Sequence, residues 1–241
     1  MLPCTLVTGA TSGIGFELTR QLAQVGTPVI ALGRKLDSLH VLARQYPHLH
    51  AVSFDLANID AIPELAATVI ARHPDLACVI NNAGIQHNLR VDDERYRAKD
   101  IREEIDINLV APLLLAHALL PHLSAKQPTW IANITLGLGF VPIRTSAVYS
   151  ATKAGLHLFT QGLRAQLGGS SVYVVEAVMP LVDTPMTHGR GSGKLPAAQA
   201  AKQVIDGLLA GQQDIWVGKA KALPVLQRLA PRLLARVMQR D

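Results

Sequence analysis

Residues 8–15 of the chain read TGATSGIG, and this stretch decides the fold. The β-like run TLV precedes it, and apolar residues at helical spacing follow it. A strand, a glycine-rich turn and a helix in this order are typical of a dinucleotide-binding site. Gly9 allows a tight turn, whereas Gly13 and Gly15 let pyrophosphate and the packed helix approach the backbone. The spacing G-x-x-x-G-x-G differs from the more common G-x-G-x-x-G.

A tyrosine and a lysine four residues apart, Tyr149 and Lys153 in the stretch YSATK, are candidates for acid–base chemistry. On a helix they share one face. An ammonium group beside a phenol favours the phenolate, so we expect Lys153 to lower the pKa of Tyr149 from about 10. A tyrosine with such a pKa acts as a general acid or base near neutral pH.

Strand-like and helix-like segments alternate along the chain, with no linker or low-complexity tract between them. We predict strands near residues 4–8, 28–32, 50–54, 76–80, 129–134, 172–178 and 214–217. We predict helices near residues 13–25, 36–45, 59–72, 97–122, 147–167 and 196–210. Such alternation indicates right-handed crossovers and a parallel sheet with helices on both faces. Ligands then collect at the carboxyl ends of the strands, which is where the motifs fall.

These motifs, with others in the same order, resemble those of the short-chain dehydrogenase/reductase family. The resemblance covers about residues 3–218 and implies a single α/β domain: a Rossmann-type doubly wound parallel sheet of about seven strands. The further motifs are Asp55-Leu56, the NNAG stretch ending at Gly84, Asn108 in IDINLVAP, and Val182 with Thr184. By resemblance the cofactor contacts are Gly9, Thr11, Ser12, Gly13, Ile14, Gly15, Asp55, Leu56, Asn82, Ala83, Gly84, Tyr149, Lys153, Val182 and Thr184.

The resemblance also implies an activity, the interconversion of a small carbonyl compound and an alcohol, with Tyr149, Lys153 and Asn108 as catalytic residues. In that scheme Tyr149 exchanges the proton, Lys153 assists it and holds the nicotinamide ribose, and Asn108 anchors a water. The stretch Met179 to Thr184 resembles P-P-L-V-D-T, found in the branch known as D-alanine-transfer operon dehydrogenases, with Met179 in place of the first proline. That branch name implies no particular substrate.

The end of the second predicted strand favours the phosphorylated cofactor. An NAD-preferring site usually has an acidic residue here, and the chain has Gly33. Arg34 follows, whose planar guanidinium suits a 2′-phosphate, and Lys35 adds a charge. We therefore predict NADP(H) as the preferred cofactor, with NAD(H) as the alternative.

One position departs from the family pattern. A serine thirteen residues before the catalytic tyrosine donates a hydrogen bond to the substrate carbonyl in relatives, and this chain has Leu136 there. Thr135 precedes it and should face the opposite side of the strand. Losing one such donor typically reduces the rate about a hundred- to a thousandfold. Two functions stay open: a working oxidoreductase, or a nucleotide-binding protein with weak or no activity that acts as a sensor or interaction protein.

Composition limits the other classes of function. Of the 241 residues, 49% are hydrophobic and 17% charged, as in a globular chain with a well-buried sheet. The start MLPCTLV enters a strand directly, so we expect no signal peptide and a cytoplasmic protein. The two cysteines, Cys4 and Cys78, are predicted to be buried small hydrophobes. No cluster has the spacing of metal ligands, so we expect no catalytic metal.

The net charge of +5 comes from the C-terminal residues 219–241, which form a basic amphipathic tail. They hold six basic residues and Asp241, so the remaining chain has 17 basic and 17 acidic residues (23 minus 6, and 18 minus 1). We therefore expect no nucleic-acid surface. A stripe of Arg232, Arg236 and Arg240 could contact an anionic membrane, although docking on the domain or a second subunit is favoured.

Three further expectations concern the main domain, residues 1–218. Its residues 183–200 contain a glycine-rich stretch, which suits a lid over the cofactor and substrate. The apolar helices 105–122 and 147–167 form the dimer surface in relatives, so the resemblance implies a homodimer or homotetramer. Apolar residues of the loop 136–146 predict a moderately hydrophobic carbonyl substrate.

Overall fold

The computed structural model describes residues 1–232 and contains one large sheet. All seven strands are parallel, in the order β3-β2-β1-β4-β5-β6-β9. The strands are β1 (Thr5–Thr8), β2 (Val29–Gly33), β3 (Leu49–Ser53), β4 (Cys78–Asn81), β5 (Thr129–Leu136), β6 (Val172–Met179) and β9 (Asp214–Trp216). Each lies within one or two residues of its predicted position, and the order is that of a doubly wound Rossmann-type fold.

Helices cover both faces of the sheet. They are α1 (Gly13–Gln24), α2 (Asp37–Gln45), α3 (Ile62–Arg72), α4 (Ala98–Ile105), α5 (Ala111–Ser124), α6 (Ala147–Gln166), α7 (Ala197–Leu209) and α8 (Leu223–Leu229). One hydrophobic core lies between the sheet and α1, α2 and α7. A second lies between the sheet and α3, α5 and α6. In β1, Val7 enters the first core and its neighbour Leu6 the second, because successive side chains point to opposite faces.

This double burial explains why the strands are continuous apolar runs. Every residue of β1 and β2 is buried, so neither strand shows alternating polar positions. The two buried cysteines belong to the same interior: Cys4 precedes β1 and Cys78 begins β4. Burial raises the pKa of each thiol to about 12, as expected for cysteines that serve as packing residues.

The helical stretch Ala98–Ser124, which comprises α4, a π turn (Asp106–Val110) and α5, is 27 residues long, and its most apolar 18-residue window has a mean hydropathy of 1.5. By length and composition it could cross a membrane. In the fold it is a core helix, because Leu115, Leu119 and Leu123 are fully buried against the sheet and α3. Its apolar character is explained by this packing.

Two short strands absent from the sequence prediction form a second small sheet. β7 (Val182–Asp183) pairs in parallel with β8 (Leu195–Pro196) beyond the carboxyl end of β6. The chain between them is the glycine-rich stretch predicted as a lid. It contains Gly189, Gly191 and Gly193, all with positive φ. Glycine adopts this conformation without the strain of a Cβ, which is why these turns need it.

Candidate active site

A cleft of about 1740 Å³ opens at the carboxyl ends of the strands, where β1 and β4 lie side by side at the reversal of strand order. This is the usual ligand position in such folds. Of the predicted site residues, Gly15 and Asn108 lie behind the cleft wall. The others line it: Gly9, Thr11, Ser12, Gly13, Ile14, Arg34, Asp55, Leu56, Asn82, Ala83, Gly84, Tyr149, Lys153, Val182 and Thr184.

The glycine-rich loop at one end of the cleft has the shape of a phosphate cradle. Gly9 and Gly13 have φ values of 65° and 54°, which glycine adopts readily. A Cβ on Gly15 would lie 2.2 Å from the Gly9 carbonyl oxygen, so no larger residue fits. Ser12, which precedes α1, makes no side-chain capping bond. The N–H groups of the first turn are thus left to a ligand, and the loop fits the phosphates of a dinucleotide.

Thr8 joins this loop to the NNAG stretch, a role that the sequence analysis missed. Its hydroxyl oxygen accepts hydrogen bonds from the backbone N–H groups of Asn82 and Ala83, both at 3.0 Å. The Asn82 side chain in turn donates to the Thr8 carbonyl at 2.9 Å. The ends of β1 and β4 are therefore held in a fixed relation on either side of the cleft.

Arg34, the cation predicted to bind a 2′-phosphate, lines the end of the cleft beside β2 and β3, which we call the adenosine end. Arg34 is 56% exposed, and its closest carboxylate oxygens, on Asp55 and Glu103, are 3.8 and 4.0 Å away. These contacts are longer than hydrogen bonds, so the guanidinium can still bind a phosphate. A Cβ on Gly33 would lie 2.4 Å from Thr11 Cγ2. The missing acidic residue at Gly33 thus has a steric explanation in this chain.

Tyr149 and Lys153 lie on the buried face of α6, next to the end of β5. They are 7% and 4% exposed. The Lys153 ammonium lies 5.8 Å from the centroid of the Tyr149 ring and donates to the Ile134 carbonyl at 3.0 Å. Both side chains line the same cleft as the glycine-rich loop. The spacing of four residues thus brings the pair together as predicted.

The expectation that Lys153 lowers the pKa of Tyr149 is wrong for this structure. Burial raises the pKa of Tyr149 above its ordinary value, the Glu104 carboxylate raises it further, and the Arg190 guanidinium acts in the opposite direction. Burial also lowers the pKa of Lys153 to about 8. The phenol is therefore protonated at neutral pH and is a weaker acid than a phenol in water.

Asn108 occupies the π turn between α4 and α5, a widened turn of the kind often found at functional sites. Its Oδ1 accepts from the Ile85 backbone N–H and its Nδ2 donates to the Ile85 carbonyl, both at 2.8 Å. Both polar ends of the side chain therefore bond to the backbone of Ile85, and the water predicted for this residue stays a prediction. Pro112 has no N–H, which leaves a carbonyl of this turn without its usual helical donor.

Leu136, the last residue of β5, lines the cleft where relatives place a serine. Thr135 does not replace that serine. Its hydroxyl is buried on the other side of the strand and donates to Glu176 Oε1 at 2.6 Å. Glu176, on β6, also bonds to Nδ1 of His157 at 2.8 Å. The predicted direction of Thr135 is confirmed, and its buried carboxylate partner was not foreseen.

The segment after β9 also contributes to the cleft. Lys219, Ala220 and Leu223 line the cleft, and Ala220 is buried. A Cβ on Gly137 would lie 2.8 Å from Leu223 Cδ1, so this leucine packs directly on the loop after β5. Of the predicted basic stripe, Arg236 and Arg240 lie outside the described residues. Among residues 1–232, no group of His, Cys, Asp and Glu side chains is arranged to hold a metal ion.

Comparison with known proteins identifies the family. The family model for short chain dehydrogenases matches residues 3–194. The uncharacterized oxidoreductase DltE of Bacillus subtilis is 33% identical over 224 residues, which are 90% of this chain and 89% of DltE. An uncharacterized oxidoreductase of Staphylococcus epidermidis is 34% identical over 204 residues, 83% of this chain and 88% of that protein. The predicted resemblance, including the DltE branch, is thus confirmed.

A solved structure supports the fold at full length. A short chain dehydrogenase from Burkholderia cenocepacia, crystallised in complex with NADP, superposes with a TM-score of 0.87 at 26% identity. The superposition covers 99% of this chain and 98% of that one. It extends past residue 194, where the sequence match to the family ends, and includes the small second sheet and α7. The chain therefore belongs to the short chain dehydrogenase family of oxidoreductases.

Proposed function

We propose that this protein is an NADP(H)-dependent oxidoreductase that interconverts a carbonyl compound and an alcohol. The observation that carries the proposal is the position of Tyr149 and Lys153 in the same cleft as the glycine-rich loop. The NADP complex of the similar Burkholderia dehydrogenase supports the choice of cofactor. When bound, the cofactor supplies or accepts the hydride.

Tyr149 is the proton donor in the direction of reduction. The phenol is protonated at neutral pH and can donate to the carbonyl oxygen as negative charge develops there. A buried phenol is also shielded from water, which strengthens its hydrogen bond to the substrate. In the direction of oxidation the same oxygen accepts the proton.

The Lys153 ammonium can donate hydrogen bonds both to the Ile134 carbonyl and to a bound nucleotide. In this structure its ammonium donates to the Ile134 carbonyl, which leaves further N–H groups for the ribose hydroxyls of a bound nucleotide. Its pKa of about 8 means that the charge is held with difficulty in the buried site. We infer that the ribose hydroxyls and the Tyr149 oxygen share this ammonium during the reaction.

Asn108 acts as a positioning residue. Its two bonds to Ile85 fix the chain after the NNAG stretch, and a Cβ on Gly84 would lie 3.2 Å from Asn108 Oδ1 and 3.8 Å from Lys153 Nζ. The three residues are therefore packed together. We infer that the π turn holds a water through a backbone carbonyl, and that this water returns protons toward Lys153.

Arg34 determines the preference for NADP(H) over NAD(H). It is the exposed cation at the adenosine end of the cleft, and Gly33 offers no carboxylate to repel a 2′-phosphate. Asp55, 3.8 Å from Arg34, is placed to orient the guanidinium. Lys35 also lines this end of the cleft and adds to the positive potential.

A second function is favoured by one observation, the apolar side chain of Leu136 where relatives place a hydrogen-bond donor. A site that lacks this donor can bind the nucleotide and still turn over slowly. In this alternative the protein is a nucleotide-binding sensor or interaction protein. The retained Tyr149, Lys153 and Asn108 support the enzymatic function, because nucleotide binding alone requires fewer of them.

The assembly and boundaries are also proposals. Residues 1–218 form the catalytic domain with a lid at residues 183–200. Ile105 and Leu158 expose apolar side chains on α4 and α6, which supports a homodimer through these helices. Membrane contact through the C-terminal segment is not favoured, because Leu223 packs on Gly137. A cytoplasmic location agrees with the buried, unpaired cysteines.

The test is NADPH oxidation with a panel of aldehydes, ketones and quinones, followed by absorbance. The wild type should turn over at least one compound, and Tyr149→Phe should lose at least a thousandfold of kcat/KM while still binding NADPH. Glu94→Gln, an exposed change outside the cleft, is the control and should match the wild type. NADPH binding with no turnover of any compound by the wild type would support the sensor instead.

A further inference from the structure

The loop between β7 and β8 contributes Arg190 to the part of the cleft that contains Tyr149, which we call the substrate end. Arg190 lines the cleft and is half-buried. Its Nη2 donates to Gln86 Oε1 at 3.0 Å and to the Met186 carbonyl. It also acts on Tyr149 electrostatically, since it lowers the pKa of the phenol against the larger effects of burial and of Glu104. The guanidinium is therefore close to the reacting end of the cleft.

A chain of hydrogen bonds fixes Arg190 relative to the catalytic helix. Gln86, which Arg190 contacts, donates from Nε2 to Ser146 Oγ at 2.8 Å. Ser146 donates in turn to Asn88 Oδ1 at 3.1 Å. Ser146 is buried and directly precedes α6, three residues before Tyr149. This chain links the loop after the NNAG stretch, the start of α6 and the predicted lid.

The charge of Arg190 has no carboxylate partner among residues 1–232. Lys194, the next cation along the same loop, lies 3.6 Å from Asp183. Within the described residues Asp55 is the one carboxylate that lines the cleft, and it lies beside Arg34 at the adenosine end. A half-buried guanidinium without a counter-ion favours the binding of an anion. Two of its N–H groups can donate in parallel to the two oxygens of a carboxylate.

The opposite wall of the substrate end is apolar. Leu136 ends β5, Leu138 and Ile143 lie in the loop that follows it, and Leu223 packs on Gly137 of the same loop. A substrate with an apolar body and one acidic group would pack on the apolar side chains and pair with Arg190. Tyr149 lines the same cleft as both walls and lies in the first turn of α6, which Ser146 precedes.

We propose that the substrate is an oxo acid with an apolar body, and that Arg190 binds its carboxylate. The inference rests on the proposed oxidoreductase function. Hydride from NADPH would form a bond to the carbonyl carbon, the C=O π electrons would move to oxygen, and Tyr149 would donate the proton. The product is a hydroxy acid with its carboxylate unchanged, together with NADP⁺. Arg190 is thus a specificity-determining residue and takes no part in proton transfer.

Pairs of oxo acids and their methyl esters test this, because the two members differ in charge and share the carbonyl. Phenylglyoxylate and 4-carboxybenzaldehyde are suitable acids. The readout is the ratio of kcat/KM for acid to that for ester. We expect Arg190→Ala to reduce this ratio at least tenfold, and Arg190→Lys to reduce it less, because lysine keeps the charge without the fork. Arg72→Ala, at an exposed arginine of α3, is the control and should keep the wild-type ratio.

Two outcomes would overturn the inference. One is an equal loss for acid and ester in Arg190→Ala, which would make Arg190 a structural residue of the loop. The other is weaker NADPH binding in Arg190→Ala with an unchanged ratio, which would assign Arg190 to the cofactor. Both leave the proposed oxidoreductase function intact, since the wild type still turns over.

A binding measurement covers the case in which the wild type reduces none of these compounds. That result would count against the proposed function, and titration calorimetry of the NADPH complex with benzoate and benzamide would then decide about Arg190. Tighter binding of benzoate than of benzamide, lost at least tenfold in Arg190→Ala, supports the anion site. Equal binding of the two compounds, or no effect of the substitution, overturns it.

Discussion

The Thr135 hydroxyl donates a hydrogen bond to Glu176 at 2.6 Å, on the face of β5 opposite to Leu136. The residue that could have supplied the missing hydroxyl is therefore committed to a buried carboxylate. Leu136, its neighbour, faces the cleft and has no hydrogen-bonding group. The carbonyl-binding side of the site therefore relies on Tyr149.

Restoring the hydroxyl at this position should accelerate reduction. We expect Leu136→Ser to raise kcat/KM for small aldehydes at least tenfold, because one such donor is worth about a hundred- to a thousandfold in comparable sites. Leu136→Ala creates the same space without a hydroxyl and should gain less. Initial rates of NADPH oxidation by both variants at saturating NADPH give the two values of kcat/KM. An equal gain in the two variants would mean that space, not hydrogen bonding, limits the wild type.

Lys153 should reduce the stability of the folded protein at neutral pH. Burial lowers its pKa to about 8 from 10.5, so between these values the folded protein binds fewer protons than the unfolded chain. Stability therefore rises with pH across this window, and the full penalty is present below pH 8. We expect Lys153→Met to be inactive and more stable than the wild type at pH 7 by roughly 1–3 kcal/mol, a range reduced by the lost bond to Ile134.

Urea denaturation at pH 7 and pH 10 checks this prediction. The advantage of Lys153→Met over the wild type should shrink as the pH rises through 8 toward 10.5, because the wild-type lysine then loses its proton in both states. A constant difference between the two proteins at both pH values would contradict it. The comparison of two proteins cancels the titration of the other groups.

Arg34 should control the choice between the two nucleotides. We expect Arg34→Ala to raise the Kd for NADPH at least tenfold and to change the Kd for NADH by less than threefold, because the lost partner is the 2′-phosphate alone. Fluorescence titration of the reduced nucleotides measures both constants. Arg44→Ala, an exposed arginine in the last turn of α2, is the matched control. A parallel loss of NADH binding would assign Arg34 to the fold of the cleft instead.

Two glycines of the same chain should respond to alanine in opposite ways. At Gly15 the new Cβ would lie 2.2 Å from the Gly9 carbonyl oxygen, so Gly15→Ala should displace the loop and abolish nucleotide binding. At Gly162, on the exposed side of α6, no heavy atom lies within 4 Å of the new Cβ. Gly162→Ala should stabilise the helix by about 0.5–1 kcal/mol and leave binding intact. Thermal melts and NADPH titrations separate the two effects.

The sequence was sufficient for the large sheet and for the location of the cleft. Strands buried on both faces are continuous apolar runs, so their positions could be predicted closely, and the motifs at their ends then fell at one edge of the sheet. The spacing of Tyr149 and Lys153 on one helix is likewise a local property of the chain. The strands β7 and β8 were missed because two residues carry too little pattern for a prediction.

What could not be predicted depends on contacts between distant residues. Arg190 reaches Gln86 across 104 positions of sequence, and Thr135 reaches Glu176 across 41. The pKa of Tyr149 was predicted in the wrong direction because the depth of burial and the approach of Glu104 are properties of the fold. The engagement of Asn108 with Ile85 similarly follows from the meeting of two loops.

Because Leu223 packs on Gly137, the segment after β9 forms part of the cleft wall. We expect a purification tag or fusion partner that displaces Leu223 to disturb the loop after β5 as well. Assays of this protein are therefore best made with tags on Met1, which is exposed and contributes nothing to the cleft. Because Leu223 lines the cleft, we expect a chain that ends before this residue to have a wider cleft opening and to accept a broader range of compounds.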